Sequence, residues 1–246
     1  ALMRHALATF ALGPVLLAQG RHVRHTVRFL PEPEGLREGD TGSGPLLRLL
    51  IAGDSAAAGV GAPTQDEALS GQLAVSLAPT FRVQWKLLAF TGATTADLIR
   101  HLQQAPAAEF DVVVTSLGVN DVTGRRSLDD WRREQGQLVA LLRDKFAARH
   151  ILLGGLPPMH RFPALPQPLR WYVGSRARDF DRALSCFAGG RAGCEFVELD
   201  YAMMDLAAMA ADGFHPGPAV YRRWAQELAR RIIDRIKHEA PIWKRE

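Results

Sequence analysis

Only two cysteines occur among 246 residues, which excludes a small fold stapled by several disulfides. There is no Cys-x-x-Cys pair and no cluster of closely spaced histidines, so the sequence offers no zinc-ligand set. Internal repeats, heptad runs and low-complexity blocks are also lacking, which sets aside solenoids, coiled coils and disordered tracts. A large excess of charge of one sign is lacking, with 30 Lys and Arg against 26 Asp and Glu. The formal net charge is +4 despite an isoelectric point near 9.4, too mild to argue for nucleic acid, and no basic patch is interleaved with aromatics. No apolar run is long enough to span a bilayer comfortably. What is present, 47% hydrophobic and 23% charged residues, suffices for one large buried core. Neither a metal nor a cofactor is expected.

Apolar β-branched runs alternate with amphipathic stretches. Strands are expected at 46–52, 83–89, 111–117, 150–155 and 195–200. Helices are expected at 64–78, 94–104, 127–148, 169–187 and 217–238. Such alternation argues for an α/β fold with a parallel sheet covered on both faces. Right-handed crossovers then bring every loop that follows a strand to one edge of the sheet.

Four short strings lie at that edge. GDSAAAGVG (53–61) follows the run LLRLLIAG and puts Ser55 just past a buried strand. There a small-residue turn into a helix can leave a hydroxyl exposed beside unpaired backbone N–H groups. FTGATT (90–95) and LGVND (117–121) each follow a strand and bring Gly92 and Asn120 to the sheet edge. A backbone N–H and a side-chain amide there suit a developing oxyanion. DGFHP (212–216) sets Asp212 three positions before His215, so a carboxylate and a general base come from one loop. Taken singly, each string also reads as an ordinary turn or cap.

In this order the strings GDSAAAG (53–59), TGATT (91–95), GVND (118–121) and DGFHP (212–216) resemble the SGNH hydrolases, the GDSL-type esterases and lipases. The resemblance spans about residues 46–238. It implies a three-layer α/β/α sandwich around a five-stranded parallel, flavodoxin-like sheet. It also implies a catalytic Ser55–His215–Asp212 triad, with the Ser55 and Gly92 N–H groups and the Asn120 side chain as oxyanion donors. Asp54 and Asp121 read as structural residues that hold their loops by hydrogen bonds.

The expected activity is cleavage of a small-molecule carboxylic ester, with short to medium acyl chains favoured because no long hydrophobic lid is evident. An acyltransferase using the same acyl-enzyme is an alternative that the residues do not separate. A non-catalytic anion-binding module is a third reading. It is disfavoured because the 53–61 loop lacks the lysine of a P-loop and the spacing of a dinucleotide fingerprint. The proline-rich loop 155–174 supplies Met159, Phe162, Leu165 and Trp171 as candidate walls of a substrate pocket. A rigid cover packed over the core is an equal reading, since both are apolar.

Residues 1–44 are set apart as a helical extension followed by a Pro/Glu/Gly-rich linker (31–44), with the hydrolase domain at 45–246. The apolar stretch 3–20 and the basic run 21–28 read as an ordered helix that docks on the enzyme or on an anionic membrane surface. A secretory signal is disfavoured because no Ala-x-Ala site lies near residue 18. The expected location is cytoplasmic or peripheral to a membrane. A Cys186–Cys194 disulfide would point instead to the periplasm or outside the cell.

Overall fold

In the stretch Leu46–Gly53, Leu49 and Ile51 face one side and Leu50 and Ala52 the other, all fully buried. A strand apolar on both faces requires a layer of helices on each side. The computed structural model, which describes residues 2–27, 30–124, 126–199 and 206–238, has that architecture. The chain runs through α1 (Leu2–Thr26), β1 (Glu38–Thr41), β2 (Leu46–Gly53), α2 (Ser55–Ala58), α3 (Leu69–Leu77) and β3 (Arg82–Ala89). It continues through α4 (Thr95–Gln104), β4 (Val112–Ser116), α5 (Val119–Thr123), α6 (Leu128–Phe146) and β5 (His150–Gly154). The last elements are α7 (Leu169–Gly189), β6 (Cys194–Val197) and α8 (Pro218–His238).

The sheet order is β1-β3-β2-β4-β5-β6. Strands β2 to β6 are parallel, and their order is that of flavodoxin-like sheets. Its switch point lies between β2 and β4, where ligands of open α/β sheets bind. One core layer is built by α4, α6 and α7, with Leu98, Trp131, Leu142 and Phe180 buried against Leu50, Val113 and Ile151. The other is built by α3 and α8, with Leu73, Tyr221, Trp224 and Leu228 against Leu49, Ile51 and Val114. Each such aliphatic side chain, once fully buried, contributes about 1.5–3 kcal/mol.

Two expectations need correction. The sheet has six strands, because β1 adds to its edge antiparallel to β3, with Gly39 opposite Trp85. The segment 31–44, expected as a linker, therefore belongs to the folded unit. Asp40 accepts hydrogen bonds from Arg82 and Gln84, and Gln65 N–H donates to Glu34 C=O. The sixth strand reads EGDT, too short and too polar to show alternation, and it forms only because β3 offers an open edge. The alternative of a Cys186–Cys194 disulfide, which the sequence did not favour, is not formed: both are free thiols, and Arg143 points a guanidinium N–H at Cys194 Sγ. Shorter shifts occur elsewhere: α3 begins at Leu69 rather than 64, and β6 ends at Val197.

The extension is ordered. Leu16 of α1 is buried against the α7 layer, with Leu12 and Val23 packed beside it. Among the described residues no helix is long and apolar enough to cross a membrane.

Candidate active site

β2 ends at Gly53, and the Asp54 N–H donates to Ser116 C=O at the end of β4 (3.0 Å). The chain then turns at once into α2. Asp54 is the N-cap, its carboxylate accepting from the Ala56 N–H at 3.1 Å. Ser55 is thereby the first residue of a short helix, where a backbone N–H has no intrahelical acceptor. Its hydroxyl faces the ring of His215.

His215 reaches Ser55 from a loop just ahead of α8. In that loop Ala210 N–H donates to His215 C=O and Gly217 N–H to Ala208 C=O. Asp212 closes the turn from inside, accepting from the Phe214 and His215 N–H groups at 2.9 and 3.0 Å. The loop can sit this close to α2 because residue 61 is glycine. It lies at φ +101°, and a Cβ there would stand 2.3 Å from Pro216 C=O. From α8, the buried Tyr221 hydroxyl donates to Val60 C=O at 2.7 Å and fixes the facing loop.

The resulting contacts are short and directional. His215 Nε2 lies 2.8 Å from Ser55 Oγ, and His215 Nδ1 lies 2.5 Å from Asp212 Oδ2. Burial pushes the Asp212 carboxyl upward. The hydrogen bonds from the His215 ring and from two backbone N–H groups outweigh this and hold it below its usual value. An ionised carboxylate only accepts, so His215 carries its proton on Nδ1 and turns the lone pair of Nε2 toward the serine. The Asp212 side chain is 2% exposed and that of His215 25%, so the carboxylate is shielded while the ring edge meets solvent. This set can deprotonate a serine hydroxyl as it attacks and stabilise the imidazolium that results.

The strand-end loops beside Ser55 are tied to one another. The Thr95 N–H and Oγ1–H both donate to the buried Asp121 carboxylate, joining the loop after β3 to the loop after β4. Trp131 Nε1–H donates in turn to Thr95 Oγ1 at 3.1 Å. Asn120 Nδ2 donates one proton to Ala93 C=O at 2.9 Å, which orients the amide and leaves its second N–H available. Gly92, exposed and at φ +82°, donates its N–H to no described residue. Since β3 and β4 flank β2, with Ala89 and Ser116 paired to Gly53, Ser55, Gly92 and Asn120 come to one edge.

Glu32 escaped the sequence reading. Its carboxylate accepts from the Thr91 N–H at 2.7 Å and from Thr91 Oγ1–H at 2.8 Å, and it pairs with Arg37. A residue from the N-terminal segment thus holds the turn that presents Gly92. No local pattern marks such a long-range bond.

The candidate pocket walls divide. Met159, Phe162 and Leu165 are buried in the α7 core layer, at 1%, 2% and 4% exposure, and do not line an open pocket. The loop folds down on α7 as a cover, and Phe162 meets Phe214 edge-on with ring centroids 5.7 Å apart. Phe162 therefore supports the loop that carries His215, while Met159 and Leu165 belong to the core. Trp171 is 39% exposed at the start of α7.

Burial raises the Asp54 carboxyl from 3.8 to about 7, with Asp121 adding to it and the hydrogen bond from Ala56 and the nearby His215 opposing it. The folded chain then keeps this proton where the unfolded chain has lost it, so stability falls as pH rises from about 4 to about 7. Asparagine caps a helix as well as aspartate does. Asp54→Asn should remove a pH-dependent loss on the order of 4 kcal/mol. Urea midpoints at pH 5 and pH 8 check this: the wild type should lose clearly more stability between them than the variant.

A serine at a strand-to-helix turn is thus paired with a histidine and a carboxylate from one late loop, at the switch point of a flavodoxin-like sheet. The model of the GDSL-like lipase/acylhydrolase family matches residues 51–223, and the chain belongs to that family. Among similar solved structures is a member of the lipolytic protein G-D-S-L family from Veillonella parvula. It is 16% identical, with 77% of this chain and 99% of that one aligned at a TM-score of 0.59. An acetylxylan esterase from Geobacillus stearothermophilus is 19% identical over 77% of this chain and 95% of its own, at a TM-score of 0.57. A lipase/acylhydrolase from Enterococcus faecalis is 19% identical over 77% and 96%, at 0.55. At these identities the likeness shows a shared fold. No curated protein sequence matches.

Proposed function

We propose that this hydrolase cleaves carboxylic esters through a Ser55–His215–Asp212 triad and a covalent acyl-enzyme. The observation that carries the reading is the continuous pair of contacts from Ser55 Oγ to His215 Nε2 and from His215 Nδ1 to Asp212. Ser55 Oγ attacks the ester carbonyl carbon while His215 Nε2 takes its proton. The tetrahedral oxyanion receives hydrogen bonds from the Ser55 and Gly92 N–H groups and from the second N–H of Asn120. His215 then returns its proton to the departing alcohol as the C–O bond breaks, leaving Ser55 acylated. Water, deprotonated by the same imidazole, releases the acid and restores the serine.

Short acyl chains fit best. The burial of Met159, Phe162 and Leu165 removes from the site's surroundings the apolar side chains that a long-chain groove would use. Hydrolysis of p-nitrophenyl esters from acetate to palmitate tests this. The expected profile peaks at acetate to hexanoate and declines at longer chains; a peak at decanoate or beyond contradicts it. The same assay with added alcohol separates hydrolysis from transfer: a hydrolase yields free acid, whereas a transferase diverts most of the acyl group into a new ester.

A further inference from the structure

From Phe10 to Thr26, the part of α1 whose side chains the structure describes, one side of the helix is covered by the fold. Leu12, Leu16, Gln19 and Val23 face inward: Leu16 is buried, and Leu12 and Val23 pack against the core layer of α7. On the opposite side, Phe10 is 92% exposed and Leu17 43%, and Arg21 and Arg24 are exposed as well. At 3.6 residues per turn these four fall within about 60° of one another around the helix. They form a continuous stripe, apolar in its middle and basic at its C-terminal end. The helix contains three arginines and no carboxylate.

We propose that this stripe seats the protein on an anionic phospholipid surface, with Phe10 and Leu17 entering the headgroup boundary and Arg21 and Arg24 meeting lipid phosphates. Exposed apolar side chains with arginines beside them suit such a surface, the apolar groups entering the headgroup boundary and the cations meeting anionic lipid. That position agrees with the lack, among the described residues, of any helix able to cross a membrane. Charge complementarity selects the lipid over a second copy of the chain. Two such stripes packed face to face would gather four arginines with no acid on either helix to offset them.

The helix is fastened to the loop that supports the proposed catalytic base. Gln19 Nε2 donates to Gln167 C=O at 2.6 Å, and Gln19 Oε1 accepts from Leu169 N–H at 3.0 Å. The same loop carries Phe162, which packs edge-on against Phe214, the neighbour of His215. Seating α1 therefore seats the loop that holds the site.

Sedimentation with vesicles tests the proposal independently of any activity. The full chain is spun with vesicles of phosphatidylcholine alone and of phosphatidylcholine with 30% phosphatidylglycerol, at low and at high salt. The expected result is binding to the anionic vesicles that weakens with salt. Arg21→Glu/Arg24→Glu should reduce the partition coefficient at least about twenty-five-fold, at about fivefold or more per basic side chain lost. Phe10→Ser/Leu17→Ser should weaken it as well. All four side chains are exposed, so unchanged circular dichroism and melting temperature certify that the variants fold. Failure of the wild type to bind anionic vesicles, or equal binding by the variants, overturns the proposal. So does light scattering that shows a dimer dissolved by Phe10→Ser, which would make a second copy the occupant.

Discussion

Ser55→Ala should abolish turnover of p-nitrophenyl acetate, with kcat falling on the order of 10⁶-fold. The reason lies in the order of the chemistry. Without Oγ there is no acyl-enzyme, and His215 has no proton to take from a nucleophile placed 2.8 Å from Nε2. The remaining donors still polarise a bound carbonyl, so a small residual rate above buffer is expected, near 10³-fold over the uncatalysed reaction at about the level other disabled triads retain. Asp212→Asn probes the same unit from its far end. An asparagine cannot fix the proton on Nδ1 as an ionised carboxylate does, so about 10⁴-fold in kcat should be lost. The double variant should be no slower than Ser55→Ala, since residues acting as one unit are not additive. Steady-state rates on purified variants, with circular dichroism as the folding control, check all three.

Asn120→Ala should lower kcat by about 10²–10³-fold, or about 2.7–4 kcal/mol, and leave KM nearly unchanged. The amide is aimed by its bond to Ala93 C=O, so its second N–H is oriented before substrate arrives and needs no reorganisation during reaction. The oxyanion exists only beyond the ground state, which is why the loss belongs in kcat rather than in binding. Asn120→Asp is a sharper variant. It keeps the shape but places a carboxylate where negative charge develops, and it should be at least as damaging as alanine. A rise in KM with unchanged kcat would assign Asn120 to ground-state binding instead.

Strands β2, β4 and β5 were legible because they are buried on both faces and therefore read as mostly apolar runs, whereas β3 and β6, nearer the sheet edges, are only partly buried. LLRLLIAG and DVVVTS show no period of their own; their shortness, the flanking glycines and the valines of the second mark them as strands. Ser55, Asp212 and His215 were legible for a different reason. Two tight turns carry them, and the glycines at 53, 61 and 213 that permit those turns stand in the same short strings. Strand β1 was not legible. EGDT has no apolar alternation and becomes a strand by borrowing the hydrogen bonds of β3. Glu32 was hidden because its contact with Thr91 spans 59 positions and leaves no local trace. Met159, Phe162 and Leu165 could not be assigned to pocket or core from sequence, since both environments select the same apolar side chains. Only the packing of their loop onto α7 decides it.

The central claim is that Ser55 is a nucleophile activated by His215. Reaction with a fluorophosphonate, followed by intact mass measurement and peptide mapping, tests it most directly because no guess about the natural substrate is needed. The account predicts one adduct per chain, located on Ser55, formed rapidly by the wild type, and absent from Ser55→Ala. It also predicts strong slowing in Asp212→Asn. A wild-type chain that stays unmodified, or an adduct on another residue, would contradict it.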